Sequence, residues 1–486
     1  MSGKLERFAR ELARRAEALE VPQAIEDVFS RYRDDPVGFC RDILGAESAT
    51  RRSDGRPYQF DILQDLAEHP RLIVKSGHGV GKSALDAWAS LWWLLTRPMS
   101  RVVIVAPEFS RQVRTVLFSE MRRWARRSKV ALPLSVMASR AVVNGYGEEW
   151  AAIGLPATEP DRIEGLHAEA GVLLILDETK GIPQDAYDAL QGALTSESAN
   201  RLLVTSTPGG PEGPFYRAWS KGGDAWVRHQ VPSTDSSIVS PAWVEDRARD
   251  WGLGSPLYQA RVLGEFPDAG EGVLFPLTLL EAAVDRVVES PDGATVALGV
   301  DVARSVAGDA SAIAVCRGPR LESVETFREP DTMRTVDRVL QRVVLCDGGR
   351  IWVDATGVGA GVVDRLNQLG RSVEAVHFGG GAVDPKRFKN KRAELFWLLR
   401  EGLERGKLAL PDDDELLADL SALRYRFDQQ GRIVLESKDE VRQRLGRSPD
   451  RGDAVALACA GSTHGGRPLV WVGGEVYDLN TGELAQ

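Results

Sequence analysis

One glycine-rich segment limits the possible folds more than any other part of this sequence. It follows the apolar run RLIVKS and leads into the helical pattern ALDAWASLWWLL. Between a strand and a helix, glycines allow backbone N–H groups to surround a phosphate, while a lysine and a hydroxyl serve the phosphate oxygens and Mg²⁺. The segment consists of Ser76, Gly77, His78, Gly79, Val80, Gly81, Lys82 and Ser83. We therefore predict an ATP-binding P-loop, in which Ser76 replaces the usual first glycine.

A second apolar run, GVLLILDE, ends in Asp177 and Glu178. Mg²⁺ prefers carboxylate and water oxygens, so Asp177 and Ser83 are predicted to hold the ion that accompanies ATP. Glu178 is then placed to polarise the attacking water. Such a run is common by itself, but downstream of a P-loop it favours a site that hydrolyses ATP.

Three further features fit the same site less specifically. Gln59 has the side chain needed to read the N6 and N7 atoms of adenine. The strand end LVTSTP carries the hydroxyls of Thr205, Ser206 and Thr207 toward the expected γ-phosphate, and Arg162 is a candidate arginine finger. A polar cluster at a strand edge, a helix cap and a surface charge are the alternative interpretations.

The order of the apolar runs predicts an α/β chain with two domains. From Pro57 to Phe266 short runs alternate with helical patterns, which indicates a parallel sheet with helices on both faces. Later, three successive strand-like runs precede a helix–strand alternation, which is the order of an RNase H-like core. We predict a helical appendage at 1–52, a P-loop ATPase domain at 53–266, a linker at 267–290, an RNase H-like nuclease domain at 291–464 and a tail at 465–486.

Three aspartates interrupt or follow apolar segments in the second half. Asp301 lies in ALGVDVAR, Asp354 ends RIWVDA and Asp453 begins DAVALACA, with Asp309 and Asp450 in reserve. An aspartate in such a place is costly unless it is paired or bound to a metal. Because two-metal phosphodiester hydrolysis needs converging carboxylates, we predict a nuclease centre that uses Mg²⁺ or Mn²⁺. Without metal the carboxylates should repel one another, and the glycines of GVGAG should let a helix start nearby.

Charge and cysteine content narrow the class of protein. The chain has 61 basic and 70 acidic residues, so contact with nucleic acid has to come from local basic segments. Two such segments are 111–129, which a solvated helix face explains equally well, and 386–392. The four cysteines form no CxxC pair, which argues against a zinc or disulfide framework, and no apolar run is long enough to span a membrane.

The ordered motifs resemble those of the large terminase subunits of tailed double-stranded DNA bacteriophages. The resemblance extends from about Pro57 to Gly461 and is carried by SGHGVGKS, LILDET, VTSTPGG, GVDVAR, VDATGVGAGVVD, FKNKRAELFW and SPDRGDAVALA. It implies a motor that docks on a portal ring, moves DNA into a procapsid and cuts concatemers. It also implies that Thr205 to Thr207 couple hydrolysis to movement. Some members of the family place their lysine at the start of the loop, so Lys75 is a second candidate beside Lys82.

The resemblance also implies partners, namely double-stranded DNA, the portal protein and the small terminase subunit. A homo-oligomeric ring is expected on the procapsid, with a monomer in solution left open. No membrane is expected as a partner, and the expected location is the host cell cytoplasm rather than the mature virion. The alternative function is an ATP-dependent helicase/nuclease of DNA repair or mobile-element defence. A capsid or scaffold protein with degenerate sites is disfavoured because each catalytic position carries a competent residue.

Overall fold

The structure, a computed structural model, divides the chain into two compact units. The N-terminal unit comprises the described residues up to Asp246 together with Gln259–Pro267, and the C-terminal unit comprises Arg247–Tyr258 and the described residues after 267. The residues that the structure describes are 21–158, 168, 170–192, 199–210, 213–267, 272–289, 293–304, 309–445, 449–462, 469–472 and 475–478. Arg162 lies outside these ranges. The domain boundaries given above stay predictions.

The N-terminal unit contains an eight-stranded sheet in the order β3-β4-β5-β2-β6-β7-β1-β8. Its strands are β1 (Arg71–Ser76), β2 (Arg101–Ala106), β3 (Leu134–Val136), β4 (Arg140–Val143), β5 (Ala151–Pro156), β6 (Val172–Leu176), β7 (Arg201–Ser206) and β8 (Val227–Val231). Every neighbouring pair from β5 to β8 is parallel, whereas β3 and β4 form an antiparallel edge. The continuous apolar runs are buried because helices cover both faces of a parallel sheet.

The helices of this unit connect the strands and bury the apolar side chains between them. They are α1 (Val21–Phe29), α2 (Pro36–Phe39), α3 (Tyr58–Glu68), α4 (Lys82–Thr96), α5 (Phe118–Arg127), α6 (Gln184–Gly192) and α7 (Gly213–Lys221). Cys40–Leu44, Phe109–Leu117 and Gln259–Leu263 are π-helical. Helix α4 begins at the last two residues of the P-loop and is buried along most of its length, including Trp88, Trp92 and Trp93. The loop is thus anchored by a helix fixed in the core.

The C-terminal unit is built on a five-stranded sheet in the order β11-β10-β9-β12-β13. Its strands are β9 (Val296–Asp301), β10 (Ser311–Arg317), β11 (Arg320–Phe327), β12 (Arg350–Asp354) and β13 (Val373–Val376), followed by the hairpins β14 (Tyr425–Phe427) with β15 (Ile433–Leu435) and β16 (Leu469–Val472) with β17 (Glu475–Asp478). The first three strands are antiparallel, and β9, β12 and β13 are parallel. This is the predicted RNase H-like arrangement.

The remaining helices complete the chain. They are α8 (Pro241–Trp251), within which the two units divide, α9 (Pro256–Tyr258), α10 (Leu277–Glu281), α11 (Thr332–Leu345), α12 (Gly359–Gln368), α13 (Lys391–Glu404), α14 (Asp414–Ser421), α15 (Lys438–Leu445) and α16 (Asp450–Ser462). Helix α10 lies in the predicted linker, and its Leu277 and Leu280 are buried. Within the described ranges, every helix is too short or too polar to cross a bilayer.

Helix α16 lies directly on strand β9, and Gly299 makes this close approach possible. A Cβ atom at Gly299 would lie 2.0 Å from the carbonyl oxygen of Ala454 and 2.5 Å from the backbone nitrogen of Ala458. Since real Cβ atoms do not approach backbone this closely, any side chain larger than hydrogen would push α16 away. The first turn of α16 carries Asp453, so this contact also positions a predicted site residue.

We expect Gly299→Ala to destabilise the protein by about 1–3 kcal/mol, the usual cost of forcing an extra methyl into a packed interior. Thermal and denaturant unfolding of the full chain would measure the change. Gly361→Ala is a matched control, because a Cβ there meets nothing within 4 Å. Equal stability of the two variants would contradict the proposed packing constraint.

Candidate functional site

The P-loop residues lie where the predicted ATP site requires them. Gly77 N–H donates to the carbonyl of Val231 at 3.0 Å, and His78 N–H donates to the carbonyl of Arg261 at 2.7 Å, so the first half of the loop is tied to the protein. Gly79 and Gly81 have positive φ angles of 74° and 85°. These turns bring the chain into the start of α4, where the first N–H groups of a helix have no intrahelical acceptor and favour a bound anion.

Lys82 lies among the acidic and hydroxyl groups of this pocket. Its Nζ is 3.3 Å from Ser76 Oγ and 3.9 Å from Glu178 Oε1. The side chain is mostly buried, with 12% exposed, and its contact with the Glu178 carboxylate is a long one. An ammonium group in this position is available to the β- and γ-phosphate oxygens of a nucleotide.

Glu178 has an unusual backbone conformation that turns its side chain toward the pocket. Its φ and ψ angles are 46° and 44°, in the left-handed region that a glutamate rarely adopts. Thr207 Oγ1 is 3.1 Å from Glu178 Oε2 and donates a hydrogen bond to the carboxylate. The left-handed conformation costs backbone energy, and such a cost is typical of a residue whose side chain is held in one direction for its function.

Strand β7 lies between the P-loop strand and the strand that ends at Asp177, so its terminal hydroxyls enter the same pocket. Thr205 Oγ1 contacts Asp177 Oδ1 at 3.1 Å, and Glu178 N–H donates to the same oxygen at 2.9 Å. Burial, together with the charge of Glu178, raises the pKa of Asp177 to about 6. Ser206 differs from the prediction: its Oγ donates to the Thr207 carbonyl and accepts from Lys180 N–H.

Gln59 supports the loop in this structure. Its Nε2 donates to the Gly81 carbonyl at 2.9 Å, and its Oε1 accepts from Ala49 N–H at 2.8 Å. The side chain is buried, with 3% exposed. Recognition of adenine by Gln59 stays a prediction, because both ends of the amide are already bonded within the protein.

The side chains of Lys75 and Lys82 lie on different sides of the P-loop. Neighbouring residues of a strand face opposite ways, and it is Ser76 whose hydroxyl meets Lys82. Lys75 Nζ instead lies 4.5 Å from the ring centre of Trp219 and 5.4 Å from that of Phe266. Burial lowers the pKa of Lys75. The geometry favours Lys82 as the phosphate ligand.

The loop residues fit a bound Mg²⁺–nucleotide. His78 is neutral at pH 7, since burial and then the charge of Lys82 hold its pKa well below the ordinary value. The buried carboxyl oxygen Asp86 Oδ1, nearby on α4, has no hydrogen-bond partner within the ranges that the structure describes. A pocket with a lysine, hydroxyls, helix N–H groups and buried carboxylates suits phosphate and a hard cation.

The three predicted aspartates of the C-terminal unit reach one edge of its sheet. Val300 pairs with Val353 on parallel strands, so the residues that follow them, Asp301 and Asp354, end neighbouring strands at the same edge. Asp453 joins them from the first turn of α16, which packs on β9. All three are nearly buried, with 5%, 9% and 0% exposed.

The glycine turn after Asp354 has the predicted function. A Cβ at Gly359 would lie 1.8 Å from the Asp354 carbonyl oxygen, so only glycine lets α12 begin there. Asp354 Oδ1 accepts the N–H of Thr356 at 3.0 Å. The turn therefore positions this carboxylate.

Two basic side chains that the sequence analysis did not assign to this centre neutralise it. Lys438 Nζ is 2.8 Å from Asp301 Oδ2 and 2.7 Å from Asp453 Oδ2. Arg392 Nε is 2.9 Å from Asp453 Oδ1. Arg392 belongs to the predicted basic segment, but Lys438 begins a polar helix and carries no local signal of its role.

These ion pairs change the expected electrostatics. Burial alone would raise the pKa of Asp453, but Arg392 and Lys438 outweigh it and lower that pKa. Burial raises the pKa of Asp301 to about 7, with Lys438 opposing and Asp453 adding to the shift. The expectation of simple repulsion among the three aspartates is therefore wrong for Asp453, because the two cations Arg392 and Lys438 stand beside it.

The three aspartates reach the same edge of the sheet, but their ligand atoms do not all lie within 4.8 Å of one another. Among the described residues, the only three ligand-type side chains whose ligand atoms lie within 4.8 Å of one another are Asp65, Glu68 and His69, a half-buried to exposed group in the N-terminal unit. In the same first turn of α16 as Asp453, the buried oxygen Asp450 Oδ1 has no hydrogen-bond partner among the described residues. Carboxylate oxygens suit Mg²⁺ or Mn²⁺, so the residues fit a divalent cation, and coordination by them stays a prediction.

The basic segment 386–392 is less available than its composition suggests. Arg387 pairs with Glu401 at 2.7 Å, Lys391 with Glu394 at 3.0 Å, and Arg392 with Asp453. Lys386 and Lys389 are exposed. In the segment 111–129, the exposed arginines are Arg111, Arg114, Arg123, Arg126 and Arg127. The contribution of the segment 386–392 to DNA contact is thus reduced to its two exposed lysines.

We expect replacement of Lys386 and Lys389 by alanine to weaken DNA binding and to flatten its salt dependence. Each lost contact with a duplex phosphate should reduce the log–log slope by about 0.9. Fluorescence anisotropy with a DNA duplex over a range of salt concentrations would measure the slope. Lys407→Ala, which removes another exposed lysine, is the control. A slope unchanged from the wild type would leave Lys386 and Lys389 as a solvated loop.

The two units together define a class of protein: a P-loop ATPase fold and an RNase H-like fold with an acidic centre, joined in one chain. No family model matches the chain. It is 25% identical over 465 residues to the "Probable terminase, large subunit" of Enterobacteria phage P7, an alignment that covers 89% of this chain and 92% of the relative. The resemblance to large terminase subunits is confirmed along nearly the whole chain.

Solved structures similar to this chain include two terminase proteins. One is the nuclease domain of the large terminase subunit gp2 of bacterial virus Sf6, with 21% identity, 38% of this chain and 98% of that chain covered, and a TM-score of 0.35. The other is the large terminase from the thermophilic bacteriophage D6E, with 14% identity, coverages of 82% and 98%, and a TM-score of 0.40. These TM-scores are too low to transfer a residue or a contact.

Proposed function

We propose that this chain is the motor subunit that packages viral DNA. The N-terminal unit hydrolyses ATP to translocate double-stranded DNA into a procapsid, and the C-terminal unit cuts concatemeric DNA with a metal-dependent endonuclease. The observation that carries the proposal is a combination within one chain. Lys82 beside Glu178 and three aspartates at one sheet edge occur in a sequence aligned nearly end to end with a large terminase subunit.

In the ATPase site, each residue has a role that follows from its position. Lys82 and the N–H groups at the start of α4 would hold the phosphates, and Ser83 and Asp177 would hold Mg²⁺. Bound Mg²⁺ would neutralise charge that develops on the phosphate oxygens. Glu178, aimed by Thr207, would accept the proton of the attacking water.

In the nuclease centre, Asp301, Asp354 and Asp453 would hold the divalent cations, either Mg²⁺ or Mn²⁺. Bound cations would activate a water and stabilise the leaving oxygen. The protein contributes two ordered strand ends and one helix start, held in register by the sheet and by Gly299. Lys438 balances the acidic charge between Asp301 and Asp453.

The proposal also implies partners and a location. The proposed partners are double-stranded DNA, a portal protein, a small terminase subunit and further copies of this chain in a ring on the procapsid. Among the similar structures, the D6E terminase occurs in complex with ADP and a mutant Sf6 nuclease domain occurs with manganese. The proposed location is the host cell cytoplasm.

Purified full-length protein tests the two activities. We expect ATP hydrolysis that portal-bearing proheads stimulate, and linearisation of plasmid DNA in Mg²⁺ or Mn²⁺ that does not require ATP. A helicase/nuclease would instead unwind a forked duplex with ATP and would be indifferent to proheads. Strand separation without prohead stimulation would refute the packaging proposal.

A further inference from the structure

Asp86 is a buried acid that the proposed mechanism leaves without a role. It lies on α4, one turn after Lys82, and none of its surface is exposed. The ion pairs found among the described residues include none to this carboxyl group. An ionised carboxylate in such a place would be very costly. Burial, and then the charge of Asp177, raises its pKa well above the ordinary value.

The contacts of the neighbouring Thr205 hydroxyl also indicate that the Asp86 carboxyl group is protonated. Thr205 Oγ1 lies 3.3 Å from Asp86 Oδ2 and 3.1 Å from Asp177 Oδ1. A threonine hydroxyl has one proton to donate, so it cannot donate to both carboxyl groups. For both contacts to be separate two-centre hydrogen bonds, one of the two acids has to carry a proton and donate it to the hydroxyl.

The donor is Asp86 rather than Asp177. Asp177 Oδ1, which faces the hydroxyl, also accepts the N–H of Glu178 at 2.9 Å, so this oxygen serves as an acceptor. Within the described part of the chain no N–H donates to Asp86 Oδ2, and its other oxygen, Oδ1, is buried without a partner there. An unpaired carbonyl oxygen of a neutral acid costs much less than an unpaired oxygen of a carboxylate.

We propose that Asp86 is a neutral positioning residue for the Mg²⁺ ligand Asp177. Asp86 donates a hydrogen bond to Thr205, and Thr205 donates one to Asp177. These two hydrogen bonds determine which oxygen of Asp177 is left for the cation. This inference rests on the proposed ATPase function. It assigns to Thr205 a different role from that of Thr207, which contacts Glu178.

Four variants of the full-length protein separate this role from simple packing. Asp86→Leu and Thr205→Val remove a donor and keep the number and branching of the side-chain heavy atoms. Asp86→Asn and Thr205→Ser keep one, since an amide NH₂ can replace the acid O–H. The readout is the affinity for a fluorescent ATP analogue, mant-ATP, titrated with Mg²⁺ and repeated in EDTA.

Mg²⁺ should increase the affinity for mant-ATP. We expect Asp86→Leu and Thr205→Val to need about 10-fold more Mg²⁺ for half of this increase, the usual effect of losing a group that orients a metal ligand. Asp86→Leu should bind mant-ATP in EDTA with the affinity of the wild type, and Asp86→Asn and Thr205→Ser should restore the Mg²⁺ dependence. If Asp86→Leu fails to fold, Thr205→Val against Thr205→Ser carries the test.

Two results would overturn the inference. An Asp86→Asn protein as impaired as Asp86→Leu would mean that an ionised carboxylate is needed, and an unchanged Mg²⁺ dependence in both Asp86→Leu and Thr205→Val would mean that the contact has no effect on the cation. Failure of the ATPase proposal looks different, because the wild type itself would then bind no mant-ATP.

Discussion

Replacing Lys82 by alanine is expected to reduce ATP turnover by about 100- to 1000-fold, the range found when one group that stabilises transition-state charge is removed. Its ammonium is the cation that faces Ser76 and Glu178 in the pocket. A coupled assay of phosphate release by the full chain would measure turnover. Lys75→Met is the control, because Lys75 lies against Trp219 and Phe266. If Lys75→Met abolishes turnover while Lys82→Ala does not, the assignment of the two lysines is reversed.

Glu178→Gln separates binding from chemistry at the same site. The amide keeps the size of the carboxylate and a hydrogen-bond acceptor for Thr207, but it cannot take a proton from water. Nucleotide affinity should therefore stay within a few-fold of the wild type while turnover falls by about 100-fold or more. Loss of binding equal to the loss of turnover would instead assign Glu178 to nucleotide or metal binding.

Asp301→Asn and Asp354→Asn are each expected to abolish DNA cutting and to leave ATP hydrolysis intact, because the ATPase residues belong to the other unit. Plasmid linearisation in Mg²⁺ and in Mn²⁺, with ATPase activity measured on the same preparations, would check both. The three carboxylates supply the oxygen ligands, and an amide at either position loses the charge that a divalent cation needs. An Asp301→Asn protein that linearises plasmid at the wild-type rate would refute the metal centre.

The difference in stability between the wild type and Asp301→Asn should depend on pH in a defined direction. Burial raises the pKa of Asp301 to about 7, against about 3.9 in an unfolded chain. The folded wild type thus holds a proton that the unfolded chain has released, so its stability falls as the pH rises from about 4 to about 7. Asp301→Asn escapes this loss. In EDTA, its stability relative to the wild type should increase across that window, and a difference independent of pH would contradict the shift.

Asp453→Asn should behave in the opposite way. Its carboxylate neutralises Arg392 and Lys438 and is completely buried, so losing the charge leaves two cations poorly compensated. We expect a loss of about 3 kcal/mol, typical of breaking a buried ion pair. The same unfolding assay on Asp453→Asn and Asp301→Asn therefore distinguishes the two sites. The charge of Asp453 is stabilised by cations, whereas burial is the main influence on Asp301.

The amino-acid sequence by itself determined the main features of both sheets and the principal acidic and phosphate-binding residues. RLIVKS, GVLLILDE, GVDVAR and RIWVDA are strands because continuous apolar runs suit a sheet buried on both faces. The positions that end such strands are also visible locally, and parallel strands place them at a common edge. This is why Asp177, Asp301 and Asp354 could be singled out without coordinates.

Only the tertiary structure decided which side chains meet at those edges. Lys438 lies in a polar helix and Asp86 in an apolar one, and neither has a local pattern that assigns it to a site. Their roles arise because Lys438 of α15 reaches Asp301 at the end of β9, and Asp86 of α4 reaches Thr205 on β7, both of which are distant in sequence. The same cause turned Gln59 toward the loop backbone and Lys75 toward two aromatic rings. Periodicity reveals which face of an element is buried, but the partner across that face depends on long-range packing, which no local pattern encodes.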